Sequence, residues 1–571
     1  MTTEHPWIKS YPVGVRWDAP LPVGPIHALL EDAAATWPDL PAIDFMGRRI
    51  SYSELGQLAR RAAKGLQALG VGPGVHVGLY LSNSPHYAIA FFGVLIAGGV
   101  VVNYSPLDAE KALEHKVGDS ETDFLITLDL DVLYPKMARL LGKTRLKRLI
   151  VGSLGDFSGQ PDAVRAGLKQ AGQLADVAHD ERHLTFSALL DNDGEPVRHP
   201  FGDPVETLAV LQYTGGTTGA PKGAMLTHAS IMAACSTFCE TVRGEQPVVD
   251  FGTERLLSVL PLFHIYALLM NLVIAVRIGA EVILHTRFEA DAVLRDLVQK
   301  KVTMFAGVPT MYVALLALPD IDTADLSAIK FANVGGAPLP PALNAEFKRR
   351  TGHYLNEGWG MTETSPAGTF TPIVGERRSG SCGLPMPGIT ISMRDPKDLM
   401  RQVPHGDRGE MCLAGPNVMK GYWKNPQATA EAMTPDGFLR TGDVAIMAED
   451  GFVTIVDRTK DMMLCAGFNV YPRNLEAAIY EHPSVSEVAV IGIADPYTGQ
   501  APKAFVTLKQ GAVPFTLDEL KAFLKDKLGK HEMVRALEIR AELPKTAVGK
   551  LSKKELQDEE NAKAAALGGA T

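Results

Sequence analysis

The chain has 571 residues, of which 46% are hydrophobic and 21% charged, and it carries a formal net charge of -9 with a pI of about 6.0. Because a single core stops growing near ~250–300 residues, at least two domains are expected. The acidic balance argues against a general nucleic-acid binder, which would show a basic surface.

The N-terminus and the cysteines indicate the compartment. The start MTTEHPWIKSYP lacks the features of a signal peptide, and the odd number of scattered cysteines forms no CxxC pair, which favours reduced thiols in the cytoplasm. We interpret all five cysteines as packing residues, and they are Cys235, Cys239, Cys382, Cys412 and Cys465. The longest apolar run, residues 88–102, is shorter than the ~20 residues of a spanning helix, so only peripheral membrane contact stays open.

Residues 26–200 alternate between helical and strand patterns, which indicates parallel sheets flanked by helices. Ser51 and Glu54 form a capping-box pattern at the start of the first of these helices. Residues 151–200 are polar and are expected to form an excursion on the surface. The predicted helices cover residues 51–69, 85–97 and 107–119, and the predicted strands cover residues 75–81, 100–103 and 123–127.

Residues 213–228, which read YTGGTTGAPKGAMLTH, follow an apolar run at 208–213 that predicts a buried strand. The glycines permit positive φ and let backbone N–H groups converge, while the threonines add hydroxyl donors and Lys222 a mobile cation. The loop is not a Walker A motif, because Lys222 is followed by Gly223. This composition predicts polyphosphate binding, and the alternative is a flexible loop without a ligand. The residues concerned are Thr214, Gly215, Gly216, Thr217, Thr218, Gly219 and Lys222.

The alternation resumes after this loop, with predicted strands at residues 256–260, 281–284, 303–306 and 331–334, and predicted helices at 267–278, 289–300 and 309–316. A compact series follows Asp457: a strand at 462–464, a helix at 472–481, strands at 488–491 and 503–508, and a helix at 517–528. That series is sufficient for a separate α+β domain. We therefore expect a large domain over residues 1–457, a small domain over 458–556 and a flexible tail over 557–571, frayed from residue 561.

Four further stretches carry residues suited to chemistry: GGAP at 335–338, EGWGMTE at 357–363, FLRTGD at 438–443 and PKTAVGK at 544–550. With the glycine/threonine loop, their order resembles that of the acyl-adenylate-forming superfamily, which includes acyl-CoA synthetases, luciferases and peptide-synthetase adenylation domains. TGGTTG and KGAMLTH are most similar to bacterial long-chain fatty-acid–CoA ligases. The resemblance covers residues 26–556, and the chain shows no phosphopantetheine attachment motif of a peptide-synthetase module.

The resemblance implies a fold and a reaction. The fold is a large α/β N-terminal domain with parallel sheets and a small β subdomain, followed by a smaller, mobile α+β C-terminal domain. The reaction is an ATP-dependent acid–thiol ligation, in which a fatty acid and ATP give acyl-AMP and pyrophosphate, and coenzyme A then gives acyl-CoA and AMP. Mg²⁺ is the implied cofactor, and a homodimer is left open.

The resemblance also implies roles for single residues. Trp359 stands where the family usually has tyrosine, and it retains the stacking face for adenine but not the hydroxyl. Asp443 accepts both ribose hydroxyls, although a turn aspartate beside Arg440 is the alternative, and Glu363 holds Mg²⁺ with Thr214 as a helper. The other implied nucleotide contacts are Gly336, Ala337, Pro338, Glu357, Gly358, Thr362, Arg458, Lys460 and Lys550.

Lys550 is the implied catalytic lysine, because a cation at the point where charge develops lowers the barrier. The other implied catalytic groups are His264, Thr217 and Lys222, and Lys460 is the implied hinge. For the remaining substrates, the resemblance implies that Gly467 and Phe468 serve coenzyme A and that His264, Tyr266 and Ala267 line the acyl pocket.

The acid is less well specified. Similarity favours a long-chain fatty acid, and the apolar residues 267–278 could line a tunnel, although a core helix has the same pattern. A medium-chain or dicarboxylic acid is the first alternative and an aryl acid the second. Outside this class stand a non-catalytic acyl-binding or uptake protein, against which intact Glu363, Asp443 and Lys550 argue, and a luciferase-like oxygenase, for which the sequence offers no positive sign.

Overall fold

The computed structural model describes residues 5–214, 221–458, 461–465, 468–495, 499–529, 532–546 and 549–568. The first sheet has seven strands, parallel except for the last, which turns back as a hairpin. In spatial order they are His183–Thr185, Arg148–Gly152, Phe124–Leu128, His76–Leu79, Val100–Asn103, Leu208–Thr214 and Lys222–Thr227. The central strands are buried on both faces, as expected for a parallel sheet covered by helices.

A second sheet of nine strands has a parallel centre and antiparallel edges. In spatial order its strands are Leu384–Pro385, Thr369–Phe370, Leu355–Trp359, Phe331–Val334, Met304–Gly307, Arg255–Ser258, Glu281–Leu284, Pro41–Phe45 and Arg48–Ser51. One continuous buried cluster joins the two sheets to the helices that cover them.

The large domain also contains an antiparallel sheet of five strands, which is the expected small β subdomain. Its strands, in spatial order, are Asp398–Gln402, Thr390–Asp395, Arg408–Ala414, Leu439–Met447 and Val453–Arg458. The helices of the large domain are Ala28–Thr36, Tyr52–Ala68, Pro85–Ile96, Glu110–Asp119, Tyr134–Leu140, Pro161–Gln170, Phe186–Leu190, His228–Thr241, Ile265–Ala267, Ile274–Ile278, Ala290–Gln299, Pro309–Leu316, Pro341–Thr351 and Pro426–Glu431, with 3-10 turns at Pro6–Ser10, Pro319–Asp322 and Thr362–Thr364.

The C-terminal part forms its own sheet and core. Its strands are Phe468–Val470, Met463–Cys465, Gly499–Leu508, Val485–Asp495 and Ala536–Ile539, and its helices are Pro472–Tyr480, Leu517–Leu524 and Lys553–Gly568. The main apolar cluster ends at Ile455, and the cluster of this part begins at Met463. The expected boundary at Asp457 lies between these two clusters and stays a prediction, and a small third cluster joins Val456 to Tyr471.

The structure departs from the sequence expectations in three segments and at one helix cap. Residues 557–568 of the expected tail continue a helix that begins at Lys553, because Leu556 is fully buried against Ile491 and Phe505. Residues 151–200 are largely exposed, yet they add the edge strand His183–Thr185 and a short helix that buries Phe186.

The third departure lies in residues 265–278, which are helical but contain a π-helical turn at Leu268–Val273.

Elsewhere, Ser51 caps its helix as predicted, but Glu54 pairs with Arg48 and does not complete the capping box. All five cysteines are buried, in agreement with their interpretation as packing residues. No helix in the described part of the chain combines the length and the apolar character needed to cross a membrane.

Candidate active site

Three groups of predicted site residues lie at the carboxyl ends of parallel strands in the nine-stranded sheet. His264 follows Arg255–Ser258, Gly335 and Gly336 follow Phe331–Val334, and the segment with Glu363 follows Leu355–Trp359. Val334 pairs in register with Glu357, so the last two loops leave the sheet side by side. Open parallel sheets bind ligands at this edge.

Lys550 reaches this edge from the small domain. Its side chain lies against Gly336, where a Cβ atom would stand 2.7 Å from Cε and 3.2 Å from Nζ, and Gly336 has a φ of 78°. The Oγ1 atom of Thr310 donates to the carbonyl of Gly549 at 2.9 Å and fixes the preceding residue. Burial and the nearby Arg458 lower the pKa of Lys550 to about 8, while Asp443 opposes the change. The lysine is therefore a partly desolvated cation beside the GGAP loop.

His264 and Tyr266 lie on the other side of this loop. The Nδ1 atom of His264 accepts from the backbone N–H of Tyr266 at 3.3 Å, and burial with the nearby Lys550 lowers the pKa of His264 to about 3. The imidazole is therefore neutral, with its proton on Nε2. The ring of Tyr266 packs on Gly335, and its hydroxyl accepts from Nδ2 of Asn333 at 3.0 Å.

Asp443 lies where the nine-stranded sheet meets the small β subdomain. Its Oδ2 atom accepts from Nε1 of Trp359 at 2.8 Å, and its Oδ1 atom accepts from Nε of Arg458 at 3.1 Å. Asp443 and Arg458 are cross-strand partners. Arg440 instead bonds both carboxylate oxygens of Glu410, so the charged partner of Asp443 is Arg458 and not its neighbour Arg440.

Glu357 lies next to the GGAP loop, as the register partner of Val334. It is buried, and its Oε1 atom accepts from the backbone N–H of Leu339 at 3.3 Å, just after the GGAP loop. Arg473 from the small domain lies 3.7 Å from that oxygen. Burial raises the pKa of Glu357 to about 7, against the effect of Arg473 and the Leu339 N–H.

The glycine/threonine loop connects the antiparallel strands that end at Thr214 and begin at Lys222. Its predicted ligands Gly215, Gly216, Thr217, Thr218 and Gly219 lie outside the described residues. At its exit, Nζ of Lys222 stands 5.1 Å from the centre of the Tyr422 ring. The Tyr422 hydroxyl in turn donates to Oε1 of Glu363 at 2.7 Å. Lys222, Tyr422 and Glu363 thus form one chain of contacts, while the Thr214 hydroxyl donates to the Lys222 carbonyl.

The oxygen ligands available at Glu363 suit an Mg²⁺ ion that is bound together with a triphosphate. Mg²⁺ takes one or two carboxylates and completes its shell with phosphate oxygens and water. Glu363 is buried and supplies the carboxylate, and the described residues contain no cluster of three His, Cys, Asp or Glu side chains that would form a closed protein site. Glu363 would hold the ion, and the hydroxyl of Thr214 would have to leave its present partner to help.

Two other predicted residues, Lys460 and Gly467, also lie outside the described residues. Phe468 begins a short strand that pairs with Met463–Cys465, and Ala267 is buried in the helical segment after His264. The roles given to the individual site residues stay predictions.

Sequence reasoning missed Thr310, Tyr422 and Arg473. Arg473 had a usable signal, because a basic residue in the first turn of a helix opposes the helix dipole and requires another reason. Tyr422 had a weaker signal, because two aromatic residues, Tyr422 and Trp423, follow Gly421 directly in the sequence. Thr310 had none, because its partner Gly549 is 239 residues away.

Comparison with known families agrees with this geometry. Residues 30–423 match the model of the AMP-binding enzyme family, and residues 474–550 match that of the AMP-binding enzyme C-terminal domain. The chain is 38% identical over 566 residues to the long-chain-fatty-acid–CoA ligase of Bacillus subtilis, a match that covers 98% of this chain and 99% of the relative. It is 35% identical over 567 residues to the ligase of the same name from Salmonella typhimurium, with 98% of each chain covered.

Solved structures show the same two-part fold. The anthranilate CoA ligase AuaEII in complex with anthranoyl-AMP superimposes with a TM-score of 0.84 at 26% identity, covering 96% of this chain and 99% of the other. ATP-bound MatB from Rhodopseudomonas palustris superimposes with a TM-score of 0.79 at 28% identity, covering 93% and 98%.

Proposed function

This chain belongs to the AMP-binding enzyme family, and we propose that it joins a long-chain fatty acid to coenzyme A using ATP. The class of the reaction, an AMP-forming acid–thiol ligation by an acyl-CoA synthetase, follows from the family and the full-length relatives. The observation that carries the mechanism is the position of Lys550, whose side chain lies against Gly336 in the GGAP loop.

In the first half-reaction, a carboxylate oxygen of the acid attacks the α-phosphorus of ATP. The bond to the bridging oxygen breaks, pyrophosphate leaves and acyl-AMP remains. The Lys550 ammonium stabilises the charge that develops on the α-phosphate, and its partly buried position strengthens that effect. His264, protonated on Nε2, donates to the carboxylate and orients it. Magnesium bound with the triphosphate would neutralise part of the phosphate charge.

In the second half-reaction, the thiol sulfur of coenzyme A attacks the acyl carbonyl carbon. The bond from that carbon to the AMP oxygen breaks, AMP leaves and the thiol proton is released. Lys550 has no role in this step, so the small domain rotates about Lys460 and brings the loop with Gly467 and Phe468 to the site. One site with two arrangements of a mobile domain supplies different groups in turn.

The proposed chain length depends on the segment after His264. Residues 267–276 carry no charged side chain, and their one polar side chain, Asn271, bonds Oγ of Ser258 at 3.1 Å. A second carboxylate there would lack a cation, and a buried unpaired charge is costly. Each methylene in an apolar tunnel instead contributes about 0.8 kcal/mol. The names of the bacterial relatives favour the same acid.

The test is a panel of acids with six to eighteen carbons together with the matching dicarboxylic acids. We expect release of AMP and pyrophosphate to require both acid and coenzyme A, and kcat/KM to rise to twelve carbons or beyond, with dicarboxylates well below. A dicarboxylate preferred at equal length would overturn the long-chain proposal, and binding without turnover would indicate an acyl-binding protein. The same proposal includes dependence of the activity on Mg²⁺, a cytoplasmic location with peripheral membrane contact, and assembly as a homodimer.

A further inference from the structure

The indole N–H of Trp359 is committed to a contact that is not needed for stacking on a base. Its Nε1 atom donates to Oδ2 of Asp443 at 2.8 Å, across 84 residues of sequence. Among Phe, Tyr and Trp, tryptophan is the residue that can donate a hydrogen bond from the side of its ring. Phenylalanine has no donor, and tyrosine carries its hydroxyl at the tip of the ring, opposite Cβ. The contact is therefore specific to the residue that this chain carries.

The fold holds the ring in the position from which it donates. Trp359 ends a strand whose partner residue is Thr369, and a Cβ atom on the neighbouring Gly368 would stand 2.4 Å from Cε3 of the indole. The glycine thus provides the space that the six-membered ring occupies. Trp359 itself stays half-buried, so it can meet a ligand while its N–H is bonded.

Asp443 has a donor on each oxygen, one from each adjoining sheet. Arg458 is its cross-strand neighbour in the small β subdomain, whereas Trp359 comes from the nine-stranded sheet. A carboxylate has about four lone-pair sites, so these two donors leave sites for two hydroxyl groups and fix the plane in which they are presented. Burial raises the pKa of Asp443, and the Arg458 and Trp359 contacts oppose that rise and favour the charged form.

We propose that Trp359 is a positioning residue for the nucleotide sugar: its indole N–H orients the Asp443 carboxylate so that both ribose hydroxyls can donate to it. The inference deepens the proposed function, because it rests on Asp443 as the ribose acceptor. It makes recognition of the base and recognition of the sugar depend on one side chain.

The test compares ATP, 2′-deoxyATP and 3′-deoxyATP in acid-dependent pyrophosphate release without coenzyme A. Trp359→Phe keeps an aromatic face and removes the N–H. Without the indole N–H, the charged Asp443 carboxylate loses one hydrogen bond and its orientation toward the ribose hydroxyls is less well fixed. We therefore expect the ratio of kcat/KM for ATP to that for each deoxy analogue to fall about tenfold. An equal loss with all three nucleotides would overturn the inference, because a stacking or structural role does not distinguish the sugars.

Two further variants complete the design. Trp17→Phe removes an indole N–H that donates to the carbonyl of Ile389 at 2.9 Å, and it should leave the ratio unchanged. Asp443→Asn should abolish the sugar preference. If it does not, the ribose assignment of Asp443 fails. If Asp443→Asn abolishes the sugar preference and Trp359→Phe keeps it, only the inference about Trp359 fails. Should Trp359→Phe not fold, benzothienylalanine at position 359 keeps the two-ring shape and replaces N–H by sulfur.

Discussion

Arg473 of the small domain lies 3.7 Å from Oε1 of Glu357 in the large domain, and it forms a charged contact across the domain boundary. The backbone N–H of Arg473 also donates to Oδ2 of Asp457 at 2.9 Å, at the expected boundary itself. The pair therefore joins the strand Leu355–Trp359 of the large domain to the first helix of the small domain. In the proposed mechanism the small domain changes its arrangement between the two half-reactions, and we expect this contact to form in the arrangement that places Lys550 at Gly336.

We expect Arg473→Ala to weaken this arrangement. Because the guanidinium is largely buried and its removal leaves Glu357 without a cation, adenylate formation should slow by about tenfold. Thioester formation from added acyl-AMP should be unchanged or faster, since the proposed second step uses the other arrangement of the small domain. Arg287→Ala, which removes an exposed pair with Glu289, is the control and should change neither step. Equal losses in both half-reactions would contradict a role tied to one arrangement.

The buried Glu357 should make stability depend on pH. Its pKa is raised from 4.5 to about 7 by burial, so between these values the folded protein binds more protons than the unfolded chain. The free energy of unfolding should therefore fall as pH rises from about 4.5 to about 7, on the order of 1 kcal/mol for each unit of the shift. Glu357→Gln, which keeps an acceptor for the Leu339 N–H, should reduce this slope in Tm measured against pH. An unchanged slope would show that other groups cause it.

Lys550→Ala should separate the two half-reactions. Loss of a preorganised charge at the reacting phosphate costs roughly 10²–10³ in rate, so adenylate formation should slow by that factor. Thioester formation from added acyl-AMP should change little, because the proposed mechanism withdraws Lys550 from the site before that step. Lys554→Ala, four residues further on and exposed, is the matched control. A similar loss in both steps would contradict the alternating arrangement of the small domain.

Tyr422→Phe should weaken the response to Mg²⁺. The variant removes the hydroxyl that orients Glu363, and loss of such an outer partner typically reduces metal affinity by about tenfold or more. We expect the Mg²⁺ concentration for half-maximal adenylate formation to rise by that factor, with a smaller change at saturating Mg²⁺. Tyr354→Phe, on an exposed tyrosine, serves as the control. A reduced rate at every Mg²⁺ concentration, without a shift of the midpoint, would mean that Tyr422 does not act through the metal.

The sequence by itself determined the fold class, the order of the motifs and most of the strands that carry them. The reason is physical, because hydrophobic period, glycine and proline positions and strand length are local properties. The run at 208–213, for example, is the strand Leu208–Thr214, and the GGAP loop begins directly after Phe331–Val334. Local composition was misleading for residues 557–568, where small residues suggested fraying but Ala, Glu and Lys also favour a helix once Leu556 anchors it.

Only the tertiary structure decided which side chains meet. Trp359 and Asp443 belong to different sheets, Arg473 and Glu357 to different domains, and Tyr422 reaches Glu363 across 59 residues. No local pattern encodes these pairs, because each depends on how two rigid elements pack against each other. The placement of Lys550 against Gly336 depends further on the orientation of the small domain, which is set by contacts such as Thr310 with Gly549 rather than by the lysine motif itself.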